Sequence, residues 1–109
     1  MAIPHAKSGE VIDIRPLGPA LAQARTTTLV KTKTLEIIRL VIPSGKDIPR
    51  HTAHGEITVQ CLEGRVAFTV GDTRRHLEPG DLLYLSREEH HALHAVEDAS
   101  LLLTVLLPG

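Results

Sequence analysis

Seven histidines stand in a chain of 109 residues, and two groups of them lie close enough in sequence to act together: His51 with His54, and His90 with His91 and His94. Neutral imidazole is the commonest metal ligand, and a site needs three or more donors drawn from segments distant in sequence. His51, His54 and His91 form the candidate set, with Glu56 or Gln60 as a fourth donor. Three ligands with open positions suit Fe, Mn, Ni, Cu or Zn, and either oxygen activation or Lewis-acid chemistry. The same residues without a metal can line a pocket for a small organic molecule, or a histidine paired with Glu56 can serve as acid and base. No phosphate-binding glycine loop, redox cysteine pair or Ser-His-Asp arrangement competes with these readings.

How these donors meet depends on the elements that carry them. Side chains of a regular strand alternate faces, so His51, Ala53, Ile57, Val59 and Cys61 would share one side and His54, Glu56, Thr58 and Gln60 the other. His54 joins His51 only if the chain bends between Thr52 and Glu56, where Gly55 permits a bulge or turn. In the second group His91, Leu93 and Ala95 share an apolar face, while His90 and His94 read as solvated histidines. Cys61, within an apolar alternation, reads as a buried structural thiol. Glu36 and Arg39 are charges spaced through a strand pattern, and such charges usually mark its solvent side.

Short apolar segments punctuated by Gly, Pro and Asp predict strands at 11–14, 26–31, 34–42, 57–62, 65–70, 73–77, 82–85, 92–96 and 100–107. Gly71-Asp72 between two such patterns predicts a two-residue hairpin of type II′, and Pro79-Gly80 a second turn. Only residues 19–25, with Pro19 leading a run of alanines, could be helical. A small antiparallel sandwich or barrel follows.

Composition narrows the partners. Twelve Lys and Arg against thirteen Asp and Glu leave no electrostatic footprint for nucleic acid or an anionic membrane, and Arg74-Arg75-His76 is the one basic cluster. Phe68 and Tyr84 are the only large rings, too few for base stacking. The single cysteine excludes an internal disulfide and an all-thiolate metal site, which suits a reducing, cytoplasmic home. The longest apolar stretch, 101–107, is far shorter than a membrane span.

The spacing of glycines and histidines resembles the two motifs of the cupin family over roughly residues 35 to 107. The first motif is a glycine, five residues, His-x-His, three or four residues, a glutamate, six residues and a glycine; Gly45, His51 and Gly64 stand at its positions, with Ala53 at the second histidine and Ile57 or Thr58 at the glutamate. In the second motif Gly80 and His91 match, while Ser86, Glu88 and Ala95 replace its proline, second glycine and asparagine. The resemblance implies an all-β, double-stranded β-helix (jelly-roll) barrel over 35–107, preceded by N-terminal strands at 1–34 that make dimer contacts. It also implies a homodimer with a small-molecule or divalent-metal site at the barrel mouth. His51 and His91 are the ligand positions that carry over cleanly. Three functions stay open: a binding module, a metal-dependent enzyme such as a dioxygenase, and, least supported, a metal-free isomerase resembling sugar epimerases.

Overall fold

The computed structural model describes residues 5–107 and places nine strands among them. β1 (Thr27–Lys31), β2 (Leu35–Ile42), β3 (Asp47–His51), β4 (Ile57–Glu63), β5 (Val66–Val70), β6 (Thr73–Leu77), β7 (Leu82–Leu85), β8 (His91–Ala95) and β9 (Ala99–Leu106) follow in chain order. They form two antiparallel sheets, one of five strands in the order β1-β2-β9-β4-β7 and one of four in the order β3-β8-β5-β6. The inner faces close on a single core, in which Ile42, Val59, Cys61 and Leu101 from the larger sheet meet Val66, Phe68, Leu93 and Ala95 from the smaller. This is the antiparallel barrel that the alternating patterns and turn residues predict, in the jelly-roll form that the cupin resemblance implies.

Both turns form as the sequence requires. Gly71 has φ +57 and Asp72 keeps a negative φ, which is the type II′ arrangement joining β5 to β6. At the second turn the Asp81 N–H donates to the Glu78 carbonyl across Pro79-Gly80.

Two segments depart from the pattern reading. Residues 11–14 form no strand, because they belong to an N-terminal strap, residues 5–24, that crosses the outer face of the five-stranded sheet through only a few anchoring hydrogen bonds. Of the strands expected in the first 34 residues, β1 alone forms among the described residues, and it pairs directly with β2 of the barrel. The alanine-rich stretch becomes a short 3₁₀ helix, Gly18–Gln23, that buries Leu21. Conversely, β3 is absent from the pattern reading because Pro49 and three charged or polar neighbours interrupt it. An edge strand tolerates such a proline, and the register of β3 against β8 slips between Ile48 and His51.

The run from His51 to Cys61 is therefore two elements rather than one strand. His51 ends β3 in the smaller sheet, residues 52–56 cross between sheets, and β4 starts the larger sheet at Ile57. Gly55 makes the crossing possible: a Cβ there would stand 1.7 Å from the Leu106 carbonyl oxygen, while the neighbouring Glu56 carbonyl accepts from the Leu106 N–H.

Candidate functional site

His51 and His91 are register partners across the β3–β8 edge, and their rings meet edge to face with centroids 4.2 Å apart. Each is fixed in the same way. The His51 Nδ1 lies 2.8 Å from the Pro49 carbonyl oxygen and the His91 Nδ1 lies 2.9 Å from that of Glu89. A carbonyl only accepts, so both Nδ1 atoms carry a proton, and in the neutral form of each ring Nε2 keeps a lone pair. His91 is only 6% exposed and its ring stacks on Phe68 at 5.8 Å, while His51 is exposed. The pair thus runs from solvent into the barrel. Burial, and secondarily the neighbouring His51, hold the His91 pKa below its ordinary value, against the opposing hydrogen bond to Glu89.

The remaining candidates separate from this pair. The bend at 52–56 is real, but it points the chain into the other sheet and leaves His54 exposed on the rim, with Nδ1 3.4 Å from the Glu88 carboxylate. Glu56 is exposed and accepts from the Tyr84 hydroxyl. Gln60 stands opposite Leu82 and Leu102 on the outer face, away from the core-facing Val59 and Cys61. Ala53 packs against the core and Ile57 is buried in it, so the two family positions that lack a donor hold aliphatic side chains. No group of three or more His, Cys, Asp and Glu side chains is placed to hold a metal ion among the described residues. The residues present do not fit the usual three-histidine, one-glutamate metal set.

Glu88 has φ +64 and is the only described non-glycine residue with positive φ. It occupies the place of the second motif's middle glycine, and its N–H donates to the Ala53 carbonyl, tying the loop before β8 to the crossing after β3. The strained conformation survives because the two rim loops are fastened at this point. Sequence spacing marks Glu88 as a departure but does not show that the backbone keeps the glycine conformation. Phe68, which supports His91, reads from sequence only as a core residue; its role comes from the β5–β8 register, which sets it opposite Leu93 beside His91.

The sequence model of the cupin domain matches residues 38–107, well over half of the chain. The chain belongs to the cupin family. A conserved protein of unknown function from Streptococcus pyogenes is 26% identical over 100% of this cupin and 96% of its own length, with a TM-score of 0.76. A cupin superfamily protein from Desulfitobacterium hafniense shares 19% identity over 94% and 100% of the two chains, with a TM-score of 0.77. A salicylate 1,2-dioxygenase mutant from Pseudoaminobacter salicylatoxidans, solved with gentisate, shares 18% identity over 73% of this cupin and 24% of the dioxygenase, with a TM-score of 0.69. No curated protein matches the chain.

The other sequence candidates fall into place as supports. His94 is half-buried rather than fully solvated, its Nδ1 2.7 Å from the Asp47 carboxylate directly across the β8–β3 pair. Cys61 is buried and its thiol is pushed up to about 11 chiefly by burial, with nearby carboxylates adding to it, which makes it inert. Arg39 corrects the expectation of a solvated strand charge: it is 7% exposed, 3.7 Å from the Glu63 carboxylate, and its Nη2 donates to the Ile14 and Arg15 carbonyls of the strap.

Proposed function

We propose that this cupin binds a small organic molecule at the barrel mouth, with the His51–His91 pair as its polar anchor and no resident metal required. The observation that carries this reading is the shared tautomer, which leaves two neighbouring Nε2 lone pairs, one exposed and one buried, beside aliphatic residues such as Ile48, Ala53 and Val70. In its neutral form such a pair accepts hydrogen bonds from ligand hydroxyl groups, while the aliphatic surface takes up the carbon skeleton. Solved relatives with this fold include one holding gentisate, a small hydroxylated ring acid.

A divalent metal on the same two nitrogens is the second reading. The tautomer favours it, and the aliphatic Ala53 and Ile57 disfavour it. Elemental analysis of untagged protein purified without chelators separates the two, alongside the His51→Ala, His91→Ala double variant. The binding reading expects no stoichiometric metal in either protein, a ligand from a hydroxylated-acid panel that binds the wild type, and at least about tenfold weaker binding after His51→Ala with the fold intact. Stoichiometric metal in the wild type that is lost in the double variant would move the assignment to a metal-dependent enzyme and direct work to oxygen uptake.

We also propose that the cupin is a homodimer. Supporting this, Leu82, Tyr84 and Leu106 lie exposed on the outer face of the five-stranded sheet, on the side opposite the core-facing Val59 and Leu101.

A further inference from the structure

The strap and the sheet beneath it border a half-open space, outside the barrel and away from the histidine pair. The strap is held at three points. The Ala6 N–H donates to the Leu29 carbonyl, Arg39 Nη2 donates to the Ile14 and Arg15 carbonyls, and the Leu17 and Gly18 N–H groups donate to the Glu63 carboxylate. The Ser100 hydroxyl also donates to Glu63. Burial works to raise the Glu63 pKa, but these hydrogen bonds and the Arg39 charge outweigh it and keep the carboxylate ionised.

Between the anchors the strap arches over a cavity of about 800 Å³, the size of an ordinary small-molecule pocket. Its surface is mainly apolar, with Ile12 and Leu17 from the strap and Leu29 from β1, while Lys7, Glu10, Asp13, Arg25 and Arg39 set charges around it. Arg39 is more than nine-tenths buried, yet its hydrogen bonds all run from Nη2, and its Nε has no partner. A buried guanidinium donor without an acceptor is an unmet hydrogen bond at the cavity wall, on a side chain whose charge is shared with the Glu63 carboxylate at 3.7 Å. Charge around the cavity points the same way. Of its acids, Asp13 is paired with Arg15 and Glu10 accepts from the Lys7 N–H, whereas Lys7 and Arg25 have no ion pair among the described residues.

We propose that this cavity binds an amphipathic organic acid, its carboxylate on Arg39 with Lys7 and Arg25 at the entrance, and its aliphatic chain along Ile12, Leu17 and Leu29. An aliphatic slot with one buried cation selects a chain carrying a single anionic head, and the guanidinium prefers a planar carboxylate.

The test is a titration of the isotope-labelled full-length chain with octanoate and, separately, 1-octanol, followed by amide chemical shifts. The expected result is saturable shifts within residues 5–29 and around Arg39 with octanoate, and at least about tenfold weaker binding of octanol. The surface double variant Lys7→Glu, Arg25→Glu, which leaves the anchors in place, should weaken octanoate, and Leu29→Trp should exclude it. Arg39→Met should abolish the preference for octanoate over octanol. The His51→Ala, His91→Ala variant should bind octanoate as the wild type does, so failure of the barrel-mouth reading leaves this one standing. Shifts centred on His51 and His91, equal affinity for the two probes, no saturable binding, or octanoate affinity unchanged by both the double variant and Leu29→Trp would each overturn the proposal.

Discussion

At the residue scale, the geometry of the barrel rim rests on how two imidazoles are held. The depressed pKa of His91 means that the folded protein binds this proton less readily than the unfolded chain. Its contribution is fully present above the unfolded value near pH 6.5 and is lost as pH falls from there through the lower folded value. Denaturant unfolding between pH 7.5 and 5 should therefore show stability dropping more steeply for the wild type than for His91→Asn; parallel slopes would mean that the buried ring is not held neutral. Glu88 is a second residue whose backbone decides the outcome. Since its φ of +64 suits glycine, Glu88→Gly should stabilise the protein by about 1 kcal/mol, against which the loss of the exposed contact to His54 is small. Thermal unfolding of the variant checks this, and a lower midpoint would show that the Glu88 side chain contributes more than the strain costs.

At the scale of elements, the informative one is the crossing at 52–56. The alternation of faces read across 51–61 is correct for the core-facing residues, since Ala53, Ile57, Val59 and Cys61 all pack inward. The single strand that alternation implied is nevertheless two strands in different sheets, because period-two patterning says which face a residue takes and nothing about which sheet holds it. Gly55 is what the crossing cannot replace. Gly55→Ala should destabilise by more than about 3 kcal/mol, as its Cβ would collide with the β9 backbone rather than with a side chain that could move. Gly71→Asn, in an open turn with nothing near its absent Cβ, is the matched control and should cost far less. Chemical denaturation of the two variants decides, and similar small effects would mean that residues 52–56 relax freely.

At the scale of the whole molecule, the two sheets present different outer faces. The larger one carries the strap at the β1–β2 end and exposed apolar residues at the β7 end, where Leu82 and Tyr84 are 66% and 58% exposed. If the homodimer uses that face, sedimentation should give twice the mass of one chain for the wild type and a single-chain mass for Leu82→Glu, Tyr84→Glu. A wild type that sediments as one chain at all concentrations removes the dimer reading. No helix among the described residues is long and apolar enough to cross a membrane.

The sequence by itself determined the class of fold and the strand positions of His51 and His91. Alternating β-branched segments, a Gly-Asp hairpin and the Gly45, Gly64 and Gly80 framework depend on local backbone preferences and on burial of one face, which are written residue by residue. His51 and His91 were legible for the same reason, since their distance from the framework glycines fixes their place on the strands. Tertiary structure alone decided that His54 stays on the rim, that β3 exists despite Pro49, and that Arg39 is buried rather than solvated. Each of those outcomes depends on pairing between segments far apart in sequence: Gly55 against Leu106, His51 against His91, and Arg39 and Glu63 against the strap backbone. A lone strand pattern carries no term for such partners, and the free energy of a buried polar group is set by whichever partner the fold brings to it.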